Sequence, residues 1–193
     1  MPVSILPDNS LYFPHPSHAD RHGLLAIGGD LSTDRLILAY QNGIFPWYNQ
    51  GEPILWWCLT PRLILNPNQL HVSKSMRRVL NNKLLSVTAD KAFEQVMRSC
   101  GTILRPDQTE SWIHEEMITA YVKLHQLGIA HSVEVWQSEE LVGGIYGLAI
   151  GKMFCGESMF AKIPNASKLA LIKLANHLSL KEFNWIDCQQ ESD

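Results

Sequence analysis

The sequence predicts an α+β fold, and three observations carry that expectation. Residues 131–160, HSVEVWQSEELVGGIYGLAIGKMFCGESMF, alternate, turn and alternate again, the pattern of an antiparallel meander of three strands. Helical patterns flank that run, SWIHEEMITAYVKLHQLG before it and IPNASKLALIKLANHLSL after it. Ahead of Arg62 the chain changes character: Pro, His and Gly recur, and Pro46, Pro53 and Pro61 break it into short pieces. A small N-terminal domain, 1–62, and a larger domain, 63–193, follow from that change. A chain of 193 residues can bury one good core, or one core with a satellite.

Residues 1–30 end in GLLAIGGDLS and read as an irregular lead-in to a helix capped by Ser32, with Asp34 in its first turn. DRLILAYQN then places Leu36, Ala39 and Tyr40 on one side, and Gly43 stops it. In the Pro-broken stretch, Trp56 and Trp57 read as core aromatics, while Trp47, beside Pro46 in a loop, reads as a stacking surface. RLILNP is a strand, and SKSMRRVLNNK a short helix capped by Ser73, with Met76, Val79 and Leu80 inward. Its outward face holds Lys74, Arg77, Arg78 and Lys83, which is either a solvated face or an RNA-phosphate patch. LLSVTAD is a strand, and Asp90 caps the helix KAFEQVMRSC with Phe93, Val96 and Met97 in the core.

A loop, GTILRPDQT, leads to what the pattern makes the longest helix, capped by Ser111 and ended by Gly128. Ile113, Met117, Ala120, Tyr121 and Leu124 form its buried stripe; Trp112 lies in the first turn, off the stripe and free to stack. In the meander, Val133 and Val135 share one face, and Gly143, Gly144 and Gly147 leave room for a bulge or a ligand. Glu157 sits in a mostly apolar strand, where a carboxylate needs a partner or a task. After the last helix, capped by Asn165 or Ser167, the strand WIDCQ turns Ile186 and Cys188 one way and Trp185, Asp187 and Gln189 the other.

With 46% hydrophobic and 18% charged residues the chain is globular in composition, and no apolar run approaches the roughly 20 residues of a membrane span. Its N-terminus has no basic segment followed by an apolar one, so it reads as cytoplasmic. Four scattered cysteines without C-x-x-C spacing read as reduced and buried, and His15, His18 and His22 lack a second ligand pair, so neither a metal nor a cofactor is expected. A net charge of −3 means that any nucleic-acid partner must be held by a local basic patch.

The order strand–helix–helix–strands–helix–strand resembles acetyltransferase (GNAT)-like domains with a mostly antiparallel mixed sheet. Those grip the pyrophosphate of coenzyme A with successive backbone N–H groups at a glycine-rich helix start. Here that connection is AKIPNAS, without glycine and with Pro164 removing a donor, so a different acyl donor is expected.

GIFPWY, EPILWW, HSVEVW, ELVGGIYG, FCGESMF, NASK and IDCQ, in that order between Phe13 and Gln189, resemble the bacterial leucyl/phenylalanyl-tRNA–protein transferase family. The resemblance implies an aminoacyltransferase that moves Leu, Phe and less readily Met from charged tRNA to the N-terminal Arg or Lys of proteins, marking them for degradation. Aminolysis of the aminoacyl ester needs a neutral amine, stabilisation of a tetrahedral oxyanion and a proton for the departing ribose hydroxyl. The resemblance puts Asp187 and Gln189 at the reacting centre, with Glu157 in the same network. Three routes stay open: Asp187 accepts a proton directly, polarises Gln189 so that its amide oxygen receives the amine proton, or only orients and neutralises the cationic acceptor.

It further implies that the terminal adenosine meets Trp47 and Trp112, at about 1–3 kcal/mol of stacking each. The aminoacyl side chain would enter an apolar pocket of Ile145, Phe154, Met159, Leu174 and Ile186, with Tyr40 and Tyr121 nearby. One methylene is worth only roughly 1–3 kcal/mol in such a pocket, which is why Met is admitted. By the same resemblance, relatives can carry Met and Phe where Ile145 and Leu174 stand, which leaves the width of the pocket open. They also continue past IDCQ with a segment containing a His and a Ser-Leu-Gly-Ala-like run, and the expectation is that domain 63–193 lacks it. The protein is expected to act as a monomer. A coenzyme A-dependent small-molecule N-acyltransferase and a non-catalytic tRNA-binding module are the competing expectations.

Overall fold

A computed structural model describes residues 3–102 and 111–190. The expected loop GTILRPDQT, from residue 103 onward, and the last three residues lie outside the described residues. Among the described residues the fold is α+β, with two sheets.

The first sheet holds β1 (Ser4–Leu6), β2 (Leu24–Gly28), β3 (Phe45–Pro46) and β4 (Leu55–Trp57) in the order β1-β2-β4-β3, with β1 and β2 parallel and the other pairs antiparallel. The lead-in therefore contains two strands where the sequence suggests irregular chain. LLAIG is too short and too uniformly apolar to show a period of its own; its pairing with Leu55–Trp57 makes it a strand. Helix α1 (Thr33–Gln41) begins as expected at Ser32, whose Oγ accepts the Arg35 N–H, and buries Leu36, Ala39 and Tyr40.

The second sheet holds β5 (Ile64–Leu65), β6 (Leu85–Ala89), β7 (Ala130–Gln137), β8 (Glu140–Ile150), β9 (Met153–Ala161) and β10 (Trp185–Asp187). Its order is β5-β10-β9-β8-β7-β6, antiparallel throughout except for the parallel pair β9–β10. That parallel pair needs a crossover, which α5 (Ala166–Leu180) supplies. A meander followed by a helix and one more strand is the topology the sequence predicts.

Helices α2 (Lys74–Leu80), α3 (Phe93–Thr102) and α4 (Glu115–Gln126) complete the chain. Two caps differ from expectation. Asp90 has a left-handed backbone (φ 58°), and its carboxylate holds His131 and the Ser132 N–H; at the start of α3 it is Glu134 of β7 that takes the Ala92 N–H, at 3.4 Å. Ser111 holds the Ile113 N–H at 3.1 Å, and α4 starts only after His114, so Trp112 stands in the segment before the helix and not in its first turn. At 15 residues, α5 is longer than α4 with 12.

The six-stranded sheet is covered on both faces. On one, α5 packs over Val133, Val135, Ile145, Phe154 and Ile186. On the other, α3 and α4 join the first sheet and α1 in a continuous core that includes Leu25, Tyr40, Trp56, Val96, Met117, Tyr121, Tyr146 and Phe160. The β8 glycines Gly143 and Gly144 serve this packing and not a ligand. A Cβ on Gly143 would stand 2.5 Å from Ala166 of α5, and one on Gly144 3.1 Å from Val96 of α3, so both helices approach the sheet because those side chains are missing. Among the described residues no helix is long and apolar enough to cross a membrane.

Candidate active site

Strand β9 carries an irregularity that places one acid. Tyr146 of β8 pairs with Ser158, and its neighbour Gly147 pairs with Gly156, so Glu157 is an extra residue without a partner on β8. Such a bulge re-aims a side chain. Gly147 is what tolerates it: a Cβ there would lie 2.1 Å from the Cys155 carbonyl oxygen. The Glu157 carboxylate turns to the α4 side, where Oε2 accepts the Tyr121 hydroxyl at 3.4 Å, and that hydroxyl is itself hydrogen-bonded to Tyr40.

The neighbouring strand ends at Asp187. Alternation therefore does not carry Gln189 onto the face of Asp187; a turn does. Gln189 has a left-handed backbone (φ 61°), and its N–H donates to Asp187 Oδ1 at 2.9 Å. The turn brings the side chain back, and its Nε2 donates to Glu157 Oε1 at 3.0 Å. Glu157, Asp187 and Gln189, expected together, are brought together, with Gln189 as the link between the two acids.

A residue that sequence reasoning passed over completes the network. β5 runs beside β10, with the Leu63 N–H on Gln189 O and the Cys188 N–H on Leu63 O, and this delivers Arg62 to Asp187. Arg62 Nε lies 3.1 Å from both carboxylate oxygens of Asp187, and Nη2 lies 2.6 Å from Oδ2. Its Nη1 donates to Gly43 O at 2.8 Å, and the guanidinium carbon sits 5.2 Å from the centre of the Phe45 ring. One signal was available: Arg62 is the lone Asp, Glu, Lys or Arg between Glu52 and Lys74, set in the apolar run LTPRLIL.

Burial pushes the Glu157 carboxyl up to about 7, aided by the negative charge of Asp187 and opposed by the phenols and Arg62. Burial first, then the charge of Glu157, holds the Tyr40, Tyr121 and Tyr146 phenols well above their ordinary range, so they act as neutral hydroxyls. Burial likewise raises the Cys58, Cys155 and Cys188 thiols, which favours their neutral form.

Glu157 and Gln189 open on a cavity of about 120 Å³ whose other walls include Phe45, Trp47, Leu59, Trp112 and Gly156. Trp47 is 38% exposed and is steadied by Trp57, whose indole Nε1 donates to Trp47 O at 2.7 Å. Trp47 and Trp112 thus share one cavity with the acid network, although they come from different sheets' surroundings. Tyr40 and Tyr121 lie beneath it, 1% and 0% exposed, as supports for Glu157.

The apolar candidates are placed elsewhere. Ile145, Phe154, Leu174 and Ile186 are closed into the core under α5, and Met159, paired with Ile145, is 48% exposed. Phe154 and Leu174 line a larger cavity of about 400 Å³ on that face, which contains none of Glu157, Asp187 and Gln189. Between the two faces stands Gly156, which lines the smaller cavity and whose absent Cβ would lie 3.9 Å from Ile186 Cγ2. Lys74, Arg77, Arg78 and Lys83 are all exposed, on α2 and just after it, and make no ion pair among the described residues. No group of three or more His, Cys, Asp or Glu able to hold a metal occurs among the described residues.

The chain is similar to known proteins along most of its length. The model of the family described as leucyl/phenylalanyl-tRNA protein transferase matches residues 64–193, and that of its N-terminal domain matches residues 29–63. A leucyl/phenylalanyl-tRNA–protein transferase of Flavobacterium johnsoniae is 55% identical over 179 residues, 93% of this chain and 84% of that protein. One from Maridesulfovibrio salexigens is 54% identical over 182 residues, 94% of this chain and 76% of its own length. Among solved structures, a protein of unknown function from Bacteroides thetaiotaomicron aligns with a TM-score of 0.48 at 14% identity, over 67% of this chain and 50% of that one.

Proposed function

Because the chain belongs to the leucyl/phenylalanyl-tRNA–protein transferase family, we propose that it moves Leu, Phe and, less readily, Met from aminoacyl-tRNA to an N-terminal Arg or Lys, and that the cavity between Trp47, Trp112 and Glu157 is where it does so. The observation that carries the assignment of the site is the hydrogen bond from Gln189 to Glu157 at the floor of that cavity.

The terminal adenosine stacks on Trp47 and Trp112, which leaves the ester over Gln189. With Nε2 committed to Glu157, the amide oxygen of Gln189 is the end that accepts an N–H of the acceptor's α-amine. Ionised Glu157 strengthens that acceptor by pulling on the other end of the amide. The amine then adds to the ester carbonyl, the tetrahedral intermediate collapses, and the amine proton passes to the departing ribose oxygen as its bond to carbon breaks. The contacts of Asp187 favour none of the three routes and suit instead a hold on the turn that carries Gln189. Both of its oxygens are occupied by Arg62, and what it holds of Gln189 is the backbone N–H and not the amide.

The aminoacyl side chain is assigned to the apolar group Ile145, Phe154, Met159, Leu174 and Ile186, of which Ile186 lies next to Gly156 in the cavity wall. Lys74, Arg77, Arg78 and Lys83 hold tRNA phosphates as an exposed cationic group. In this scheme residues 1–62 supply Trp47, and residues 63–193 supply Trp112 and the reacting groups. Charged tRNA as donor puts the work in the cytoplasm, carried out by a monomer.

The test is transfer from leucyl-tRNA to a peptide beginning with Arg. The product expected begins Leu-Arg. No product with leucyl-, phenylalanyl- or methionyl-tRNA would exclude the activity.

A further inference from the structure

Arg62 touches three things that belong to different parts of the site. It holds Asp187 through Nε and Nη2, Gly43 O through Nη1 at 2.8 Å, and it lies over the Phe45 ring. Gly43 ends the α1 segment, and Phe45 begins β3, which runs directly into Trp47. On the other side, Asp187 holds the Gln189 backbone. One side chain therefore spans from the strand that carries the stacking surface to the residue that carries the amide.

We propose that Arg62 is a positioning residue that fixes the distance between the adenosine platform at Trp47 and the acceptor group at Gln189. A guanidinium suits this task because its planar fork meets a carboxylate in two bonds and has further N–H groups for a carbonyl. Lysine, a point charge, would keep the attraction to Asp187 and lose the fixed geometry. The pair is well shielded, with Asp187 3% and Arg62 20% exposed at the side chain, so solvent does not offer either a substitute partner.

The proposal rests on the aminoacyl transfer proposed above, and the test separates the two. Kinetics of leucyl transfer are compared for the unaltered protein, Arg62→Lys and Arg62→Met. For both variants, turnover should fall about 30–100-fold, as expected for misplaced reacting groups, while KM for leucyl-tRNA changes less than about threefold because Trp57 still steadies Trp47. The groups that face Glu157 are Asp187 of β10, Arg62, Cys155 of its own strand, Tyr146 of β8, Tyr121 of α4 and Tyr40 of α1. Only Arg62 among them is positive. Arg62→Met should therefore move the acid limb of the rate profile to higher pH, and Arg62→Lys should leave that limb in place. Equal loss of turnover with no change of the profile in either variant, tracking a loss of folded protein, would make Arg62 a structural brace only.

If the unaltered protein transfers nothing, aminoacyl transfer is excluded, yet the geometric role is still decided by unfolding. In a cycle of Arg62→Met and Asp187→Asn, the double variant should be at least ~10-fold more stable in its unfolding equilibrium than the two single effects multiplied together. Simple additivity would overturn the proposal.

Discussion

The Gln189 side chain donates to Glu157 at 3.0 Å although Glu157 is a bulged residue within β9 and Gln189 lies past the end of β10. A bulge in one chain segment and a left-handed turn in another bring them together. Both devices depart from regular sheet, and both are located at the cavity.

A first expectation concerns pH. If ionised Glu157 strengthens Gln189, the transfer rate rises with pH through about 7, the value to which burial has moved this carboxyl. Glu157→Gln should lower turnover by roughly 100-fold and flatten that limb. A variant limb identical to the original would remove Glu157 from the chemistry. The measurement is kcat against pH with saturating leucyl-tRNA.

The same acid affects stability with a defined sign. Its folded pKa lies above the ordinary 4.5, so the stability it lends is full below 4.5 and is lost as pH rises through about 7. Glu157→Gln, which stays neutral, should therefore raise Tm above pH 7 by a few degrees, on the order of 1 kcal/mol, and have little effect near pH 4.5. Thermal unfolding followed at the two pH values decides it.

Stacking is tested by truncation. Trp47→Ala and Trp112→Ala should each weaken binding of a non-hydrolysable leucyl-adenosine analogue by about 10–100-fold, the equivalent of 1–3 kcal/mol. Trp57→Phe loses the bond to the Trp47 carbonyl but keeps an aromatic ring beside Trp47, and should have a smaller effect. Unchanged affinity in both alanine variants would place the adenosine elsewhere.

The basic helix predicts a salt effect. Arg77→Glu with Arg78→Glu should weaken binding of whole tRNA and flatten the dependence of log K on log salt by roughly 0.7–0.9 for each phosphate that is no longer neutralised. Binding of the adenosine analogue should not change. A constant slope would show that this face of α2 is only solvated.

Much of the fold was legible because periodicity survives wherever an element packs on one side. The stripe Leu36, Ala39, Tyr40 and the strands of 131–160 are recovered with their buried faces. β1 and β2 were not legible, since five apolar residues such as LLAIG acquire direction only from a partner 28 or more residues away. Of the site, Asp187 and Glu157 stand out as acids in apolar strands. Arg62 stands out only as a lone charge, and its role is not legible because it depends on the pairing of β5 with β10, which brings Arg62 to Asp187, 125 positions away. Trp112 falls ahead of its helix instead of in the first turn because α4 starts at Glu115, and the buried pair Ile113 and His114 continues the apolar pattern upstream of that start.

The extra residue in β9 makes this strand two half-strands that are out of phase, Met153–Gly156 and Ser158–Ala161, with Glu157 at the joint. Point changes on either half leave the phase alone. Loss of a single residue between Gly156 and Ser158 would restore regular alternation, leave Tyr121 and Gln189 without their shared partner, and still leave a sheet that pairs. Gain of one would carry Phe160 out of the core. The segment is thus a place where sequence length, more than sequence identity, sets whether the strand is merely a strand or the seat of an acid.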